Sequence, residues 1–241
     1  MSHHTNIVRL KAAHNALSGL GYDYAFVGGA VVSLYADRVA EEIRETEDVD
    51  VLVEIYSRFD YAKLEKKLRQ LGFKHDTRSN FVGRFFIEGL IVDLMNDLVV
   101  DFMPLEEKVL GFSNKWYVEG LLNAIAFVID ELHTIKIFTV PYFIAAKLEA
   151  FKGRGKNKQG KYDGRVSADF EDIVFLLGNR ATVWDEMAGA ANNIKQYLID
   201  EFAALYKNPY FEEWIEVHTP YSSGIAPGII LPGIKQFIQT K

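Results

Sequence analysis

The segment Asp48–Val53 constrains the fold of this chain more than any other part of the sequence, because it alternates and is rich in valine, as a β-strand is. On a strand, side chains at positions i and i+2 share a face, so Asp48 and Asp50 point the same way while the valines face the core. Two carboxylates this close repel one another, and the pair is costly on a half-buried strand unless a cation lies between them.

Hard oxygen ligands on a rigid strand suit Mg²⁺ or Mn²⁺, which bind a few carboxylates together with substrate phosphates. The pair Asp48 and Asp50 also has an ordinary interpretation, a strand edge on which both acids face water. An isolated D-x-D pattern favours the ordinary interpretation, so a metal site needs a second observation.

That second observation lies upstream, where the apolar strand Tyr24–Val27 runs into Gly28 and Gly29 and then into a helix. Glycines at such a position let backbone amides approach a phosphate, and the helix N-terminus adds a favourable field. A tight turn that needs small residues is the alternative. A phosphate-binding turn and a paired-carboxylate metal site together belong to one class of reaction, phosphoryl or nucleotidyl transfer.

The remaining pattern predicts an α+β fold, in which a mixed, mostly antiparallel sheet with helices precedes a mostly helical half. We place the boundary after residue 117, which gives domains 1–117 and 118–241. The predicted helices are 7–20, 58–71, 119–132, 141–152, 167–177, 184–206 and 209–217. The predicted strands are 24–27, 48–54, 135–140 and three antiparallel runs within 81–103, with turns at Glu88-Gly89 and Asn96-Asp97. The Pro- and Gly-containing tail after residue 219 is predicted to be a loop.

The composition excludes several functions. The absence of cysteine rules out disulfides, thiolate nucleophiles and cysteine metal sites. A net charge of −6 argues against a broad nucleic-acid-binding surface, although a local basic patch is compatible with it. No apolar run is long enough for a membrane span, and Met1–Thr5 has no signal-peptide pattern, so we expect a soluble cytoplasmic protein with no membrane partner.

Two stretches resemble the nucleotidyltransferase superfamily with the DNA-polymerase-β-like palm: Phe26–Tyr35, and the motif Arg44-x-Thr46-x-Asp48-Val49-Asp50-Val51. More narrowly, the chain resembles the AbiEii branch, known from abortive-infection and toxin–antitoxin systems. Further stretches similar to that branch are 100–104, 110–117, 147–155 and 169–173. The combined order of these motifs is specific, although each motif alone is not.

The resemblance implies an enzyme that moves a nucleoside monophosphate from a nucleoside triphosphate (NTP) to an acceptor hydroxyl on RNA, protein or a small molecule. It implies that Gly28 and Gly29 hold the triphosphate and that Asp48 and Asp50 bind Mg²⁺ or Mn²⁺. It also implies that Lys147 meets triphosphate charge, although an exposed helix lysine explains Lys147 equally well. The active site would lie in a cleft between a palm-like and a helical domain, and a toxin would have an antitoxin protein as partner.

The family site includes a third catalytic carboxylate, which also binds metal, on a neighbouring strand. Two segments of similar sequence each contain a candidate for this carboxylate: Ile91–Met95 contains Asp93, and Val99–Met103 contains Asp101. We favour Asp101, because the sequence after it continues the resemblance without a gap, and we keep Asp93 as the alternative. If Asn96-Asp97 is a two-residue turn, these two acids lie on opposite faces of the sheet, and only one can join the site.

The chain departs from the family pattern at two further places. Ala30 follows Gly29 where many members have serine, so Ser33, one turn along the helix, either replaces that hydroxyl at the nucleotide or only packs. The loop 152–165 is strongly basic, which is typical of either a solvated loop or a contact with nucleic-acid phosphate. These departures support an alternative function, a catalytically inactive member that binds a nucleotide or a partner protein.

Overall fold

The structure is a computed structural model in which residues 2–37, 44–91, 96–157, 160, 162–219 and 227–240 are described. The chain divides into two compact units. The first unit comprises residues 1–31 and 42–139, and the second comprises residues 32–41 and 140–241. The domain boundary that we placed after residue 117 stays a prediction.

The first unit is built on a seven-stranded mixed sheet with the order β3-β4-β5-β2-β1-β7-β6. Its strands are β1 (Tyr24–Val27), β2 (Asp48–Val53), β3 (Lys74–His75), β4 (Arg84–Ile91), β5 (Asn96–Pro104), β6 (Ile125–Val128) and β7 (Thr134–Ile137). The pairs β2·β5 and β1·β7 are parallel, and the other four neighbouring pairs are antiparallel. The prediction of an α+β fold with a mixed, mostly antiparallel sheet is confirmed.

Four helices accompany the sheet in the described part of the first unit: α1 (Ser2–Ala16), α2 (Arg58–Gln70), α3 (Glu107–Leu110) and α4 (Tyr117–Leu122). Helix α2 begins as the sequence predicts, because the Ser57 hydroxyl accepts a hydrogen bond from the Asp60 amide as an N-cap. Its residues Tyr61, Leu64 and Leu68 are buried. The core against the sheet is aromatic, since Phe102 contacts the rings of both Phe73 and Phe85.

The second unit is helical in its described residues. It contains most of a 3-10 helix (Gly29–Tyr35), then α5 (Val140–Arg154), a short 3-10 helix (Gly164–Val166), α6 (Ala168–Asn179), α7 (Val183–Ala188), α8 (Asn192–Tyr206), α9 (Phe211–Val217) and α10 (Pro227–Phe237). Aromatic side chains from α5, α6 and α9 meet in its core, where the Phe170 ring contacts Phe151 and Trp214. No helix in the described ranges is long and apolar enough to cross a membrane.

The predicted helix 119–132 is wrong. Helix α4 ends at Leu122, and the apolar run Ile125–Val128 forms the edge strand β6, which pairs with β7. A short apolar run fits a strand or a buried helix segment equally well, and only the partner strand decides between them.

The predicted turns within 81–103 are also wrong. Asn96 and Asp97 lie inside β5, where Asn96 pairs with Ile91 and the Asp97 carboxylate accepts a hydrogen bond from the Gly89 amide at 2.9 Å. The Glu88-Gly89 pair lies at an irregularity inside β4, so the expected three runs form two long strands. As a consequence, Asp101 pairs with Arg84 of β4.

The predicted loop after residue 219 is wrong for residues 227–237, which form α10. Ile230, Ile234 and Phe237 follow helical spacing, and all three are buried. Gly233 lies against the Trp184 indole, where a β-carbon would approach to 2.3 Å. The Pro and Gly residues that suggest a loop therefore sit in a helix that tertiary packing stabilises.

Phe102→Ala should lower the free energy of unfolding by about 3–5 kcal/mol, because it leaves a cavity beneath the sheet. Phe59→Ala, at a ring that is 69% exposed, is the matched control and should change it by about 0.5 kcal/mol or less. Urea unfolding monitored by circular dichroism measures both, and equal effects would contradict this description of the core.

Candidate functional site

Strands β2 and β5 place three acidic side chains on one face of the sheet. The two strands are parallel, with Asp50 paired to Asp101 and Asp48 paired to Val99. Paired residues project to the same face, and so do residues two apart along a strand. Asp48, Asp50 and Asp101, hereafter the carboxylate cluster, therefore share a face, as the sequence predicts for the first two.

The opposite face of β2 holds the strand in the core. Val49, Val51 and Val53 are each fully buried, whereas Asp48 and Asp50 are partly exposed. Asp101 is more enclosed, with only 6% of the residue exposed. The valines thus fix which way the carboxylates point, because a slip of one residue would bury both acids.

The turn after β1 meets the carboxylate cluster directly. Gly28 has φ 73°, a conformation that favours glycine. A β-carbon at Gly28 would lie 1.7 Å from Oδ2 of Asp50, so this carboxylate occupies the space that any side chain would need. Only a glycine lets the turn and the Asp50 carboxylate approach so closely.

The second glycine, Gly29, is covered by residues 44–46, which precede β2 and are hereafter called the motif segment. A β-carbon at Gly29 would lie 2.8 Å from Nη2 of Arg44 and 2.7 Å from Cγ2 of Thr46. The pair of glycines therefore brings an arginine and a carboxylate to one short turn, which is a composition suited to a charged ligand.

Helix α1 fixes the motif segment. The Asn6 side chain makes both contacts: its Nδ2 donates to the Arg44 backbone carbonyl at 3.1 Å, and its Oδ1 accepts from the Thr46 backbone amide at 3.1 Å. Arg9 donates to the Thr46 carbonyl and, at 3.0 Å, to Glu45. Asn6 and Arg9 are both buried, so they act as positioning residues for Arg44 and Thr46.

Arg84 of β4 bridges two members of the carboxylate cluster. Its Nε donates to Oδ1 of Asp101 at 2.7 Å, and its Nη2 donates to Oδ2 of Asp101 at 2.7 Å and also to Oδ2 of Asp48. The bidentate geometry with Asp101 is the strong form of an arginine–carboxylate pair. A cation thus lies between two acids, as their repulsion requires, and it comes from the protein itself.

The charges of this group act on one another. The hydrogen bonds with Asp101 and the charges of Asp48 and Asp50 raise the pKa of Arg84, so the guanidinium stays charged. Burial raises the pKa of Asp101 above its ordinary value, the Asp48 charge adds to that effect, and the Arg84 hydrogen bond opposes it. The Asp101 charge therefore depends on a nearby cation.

The donor chemistry of the carboxylate cluster fits Mg²⁺ or Mn²⁺, since both ions prefer carboxylate oxygens. The present arrangement is that of a salt bridge: within the described ranges, no three acidic or histidine side chains converge as a metal-ligand set. Both oxygens of Asp101 and Oδ2 of Asp48 point at Arg84. The residues thus suit such an ion, which would compete with Arg84 for these oxygens.

Ser33 and Lys147 belong to the second unit. Ser33 is 5% exposed, and its Oγ has no hydrogen-bond partner among the described residues. Lys147 is buried on α5, with Nζ 2.5 Å from Oδ2 of Asp172 and 3.4 Å from Oδ1 of Asp169. The structure therefore gives Lys147 two carboxylate partners of its own, and it is not the exposed helix lysine that was the alternative.

Asp169 completes this second ion-pair group. Arg154 donates to its two oxygens at 2.7 and 2.8 Å. Burial acts to raise the pKa of Asp169, but the hydrogen bonds from Arg154 and the Lys147 charge outweigh burial and hold that pKa below its ordinary value. Asp169 thus stays ionised and is a counter-ion for both cations.

The basic loop 152–165 offers less free charge than its sequence indicates. Lys152 pairs with Glu149 and Glu201, and Arg154 pairs with Asp169. Arg165 pairs with Asp163 and Glu213. These pairs favour the interpretation of residues 152–165 as a solvated loop over a nucleic-acid contact. Lys158, Lys161 and the alternative third carboxylate, Asp93, lie outside the described residues.

Sequence reasoning missed Arg84, Asn6 and Arg9 as members of the site. Arg84 faces Asp101 only through the register of β4 and β5, which the expected turn at Asn96-Asp97 obscured. Asn6 and Arg9 sit on a helix far along the chain from the motif that they hold. The one available signal was that a polar and a basic residue lie among the apolar positions of that helix.

No family model matches the chain, and no curated protein matches it. Among solved structures, the fold is similar to that of an antigenic nucleotidyltransferase-like protein from Paracoccidioides brasiliensis. The two chains are 16% identical, the match covers 90% of this chain and 94% of that one, and the TM-score is 0.50. The chain therefore has a nucleotidyltransferase-like fold, which is the coarse form of the resemblance seen in its motifs.

Gly28→Ala should destabilise the protein more than Gly19→Ala does. Gly19 has a similar φ of 79° but nothing within 4 Å of a β-carbon, so its substitution reports the backbone cost alone, about 1–2 kcal/mol. Gly28→Ala adds the displacement of Asp50. Chemical denaturation of both variants measures the difference, and equal losses would contradict the close approach of Asp50 to the turn.

Lys147→Met should cost about 3–5 kcal/mol of stability, because it leaves buried carboxylates without their ammonium partner. Lys152→Met, at a side chain that is 38% exposed, is the control and should cost about 1 kcal/mol or less. Thermal and urea unfolding check both values. Unchanged stability with lost nucleotide binding would support a triphosphate contact for Lys147 and contradict the structural role.

Proposed function

We propose that this protein is a metal-dependent nucleotidyltransferase that transfers a nucleoside monophosphate from an NTP to an acceptor hydroxyl. One observation carries the proposal: in a nucleotidyltransferase-like fold, the carboxylate cluster on β2 and β5 lies against the Gly28-Gly29 turn. Carboxylates beside a glycine turn supply the two functions that the reaction needs, a cation site and a phosphate site.

The residues of the first unit would divide these functions. Gly28 and Gly29 would admit the triphosphate to the turn, and Arg44 beside Gly29 would meet its charge. Asp48, Asp50 and Asp101 would hold Mg²⁺ or Mn²⁺, which when bound stabilises negative charge on the attacking and leaving oxygens. Asn6 and Arg9 would keep Arg44 and Thr46 in position through the bonds already described.

The reaction balances without an oxidant or reductant. The acceptor oxygen forms a bond to the α-phosphorus of the NTP, and the bond from that phosphorus to the bridging oxygen breaks, releasing pyrophosphate. The acceptor loses its hydroxyl proton to a carboxylate of the cluster or to water. The acceptor class in this proposal is RNA, protein or a small hydroxylated molecule.

The resemblance to the AbiEii branch extends the proposal to physiology. It supports a toxin of a toxin–antitoxin or phage-defence system, with an antitoxin protein as partner. The motifs Arg44-x-Thr46-x-Asp48 and Lys147–Gly155 are the features that support this narrower assignment.

A second candidate function is a catalytically inactive protein that binds a nucleotide or a partner. The Arg84 bridge favours it, because a guanidinium that holds Asp48 and Asp101 permanently would keep a metal ion out. The same site then binds a nucleotide or protein without transferring a nucleotidyl group.

The proposed function predicts labelled product from an NTP that carries its label on the α-phosphate. The protein is incubated with each such NTP, Mg²⁺ or Mn²⁺, and a cell extract. Label should enter RNA, protein or a small molecule with release of pyrophosphate, and Asp48→Ala should reduce transfer by about a hundredfold or more. A γ-labelled NTP should leave no label in the acceptor.

Glu54→Gln is the matched control, since Glu54 is an exposed acid just beyond the end of β2, and it should transfer at the wild-type rate. Equal transfer by wild-type and Asp48→Ala protein would contradict the proposed function. Metal-independent nucleotide binding without transfer would instead support the inactive candidate.

A further inference from the structure

Arg84 uses the oxygen atoms that a metal ion would need. Its Nε and Nη2 take one oxygen each of Asp101 at 2.7 Å, and Nη2 also takes Oδ2 of Asp48. A guanidinium and a divalent cation on these oxygens compete for their lone pairs and repel one another, so each weakens the binding of the other. A metal ion on the carboxylate cluster and the Arg84 bridge therefore compete for the same carboxylates.

The bridge is nonetheless open to exchange. The Arg84 side chain is 29% exposed and that of Asp48 is 30% exposed, so water reaches this end of the bridge. The Asp101 side chain is 9% exposed, which makes its charge the costly one to leave unpaired. When Arg84 leaves the bridge, its guanidinium can stay charged because water solvates it. The buried Asp101 carboxylate needs another cation in its place.

We propose that Arg84 is an exchangeable internal cation: it pairs Asp48 and Asp101 in the metal-free protein and is displaced when a divalent cation binds. This inference rests on the metal site of the proposed function. The exchange has two consequences. Arg84 lowers the apparent metal affinity, because part of the binding energy goes to breaking the bridge. It also stabilises the metal-free fold, because it compensates charges that β2 and β5 force together.

Mn²⁺ alone, without nucleotide, is the probe for this exchange. Calorimetric titration of Mn²⁺ into Arg84→Met should show affinity about tenfold or more above wild type, since losing one competing charge-assisted contact is worth that much. Thermal unfolding should give a lower midpoint for metal-free Arg84→Met and a larger upward shift on adding Mn²⁺. A purely structural salt bridge would lower the midpoint without improving the affinity for Mn²⁺.

Three further variants secure the result. Arg78→Met is the matched control, because Arg78 is 81% exposed and pairs with Asp76, and it should match wild type in both measurements. Adding Asp48→Asn to Arg84→Met should abolish the gain in affinity if Mn²⁺ binds at this site. Arg84→Lys keeps the positive charge but loses the bidentate geometry, so its Mn²⁺ affinity and its thermal midpoint should fall between those of wild type and Arg84→Met. It replaces Arg84→Met if that variant does not fold.

Equal or weaker Mn²⁺ binding by Arg84→Met, or no binding by either protein, would overturn the exchange. The two proposals can fail separately. Tighter Mn²⁺ binding by Arg84→Met together with no nucleotide transfer by wild type supports the exchange and contradicts the enzyme. Transfer by wild type with no gain in Mn²⁺ affinity supports the enzyme and contradicts the exchange.

Discussion

Repulsion among carboxylates on two parallel strands is the constraint on which the site of this protein depends. Strands β2 and β5 pair in a register that sets Asp50 beside Asp101, and the buried valines of β2 prevent any slip that would separate them. Such a face is stable only with a cation on it. Arg84, placed by the antiparallel register of β4, is the cation that the protein supplies.

A second constraint is close approach at the turn after β1. Gly28 accommodates the Asp50 carboxylate where a side chain would otherwise be, and Gly29 accommodates Arg44 and Thr46. Hydrogen bonds from Asn6 of helix α1 to the backbone of Arg44 and Thr46 then keep these two residues in position. The site thus joins residues from α1, the turn, β2, β4 and β5, and the sheet brings these distant segments of the chain together.

Local sequence predicted the parts of the site that depend on strand period and turn chemistry. The strand Tyr24–Val27 follows from an apolar run that ends in glycines, and the strand from Asp48 follows from period-two alternation. The N-cap at Ser57 follows from its side-chain oxygen. Prediction failed at Ile125–Val128 and at Asn96-Asp97, because a short apolar run and a polar pair both become strand when a partner strand supplies the hydrogen bonds. Residues 227–237 show the same effect in a helix, where the buried positions at Ile230 and Ile234 outweigh the Pro and Gly residues.

The sequence by itself determined that Asp48 and Asp50 share a strand face and that a glycine turn follows β1, because the period of a strand and the conformational freedom of glycine are local properties. Only the tertiary structure decided that Asp101 lies beside them, that Arg84 bridges Asp101 to Asp48, and that Lys147 is buried against Asp169 and Asp172. Strand register and ion pairing join residues far apart in the chain, and their geometry follows from the packing of the whole sheet and helical core rather than from any local pattern.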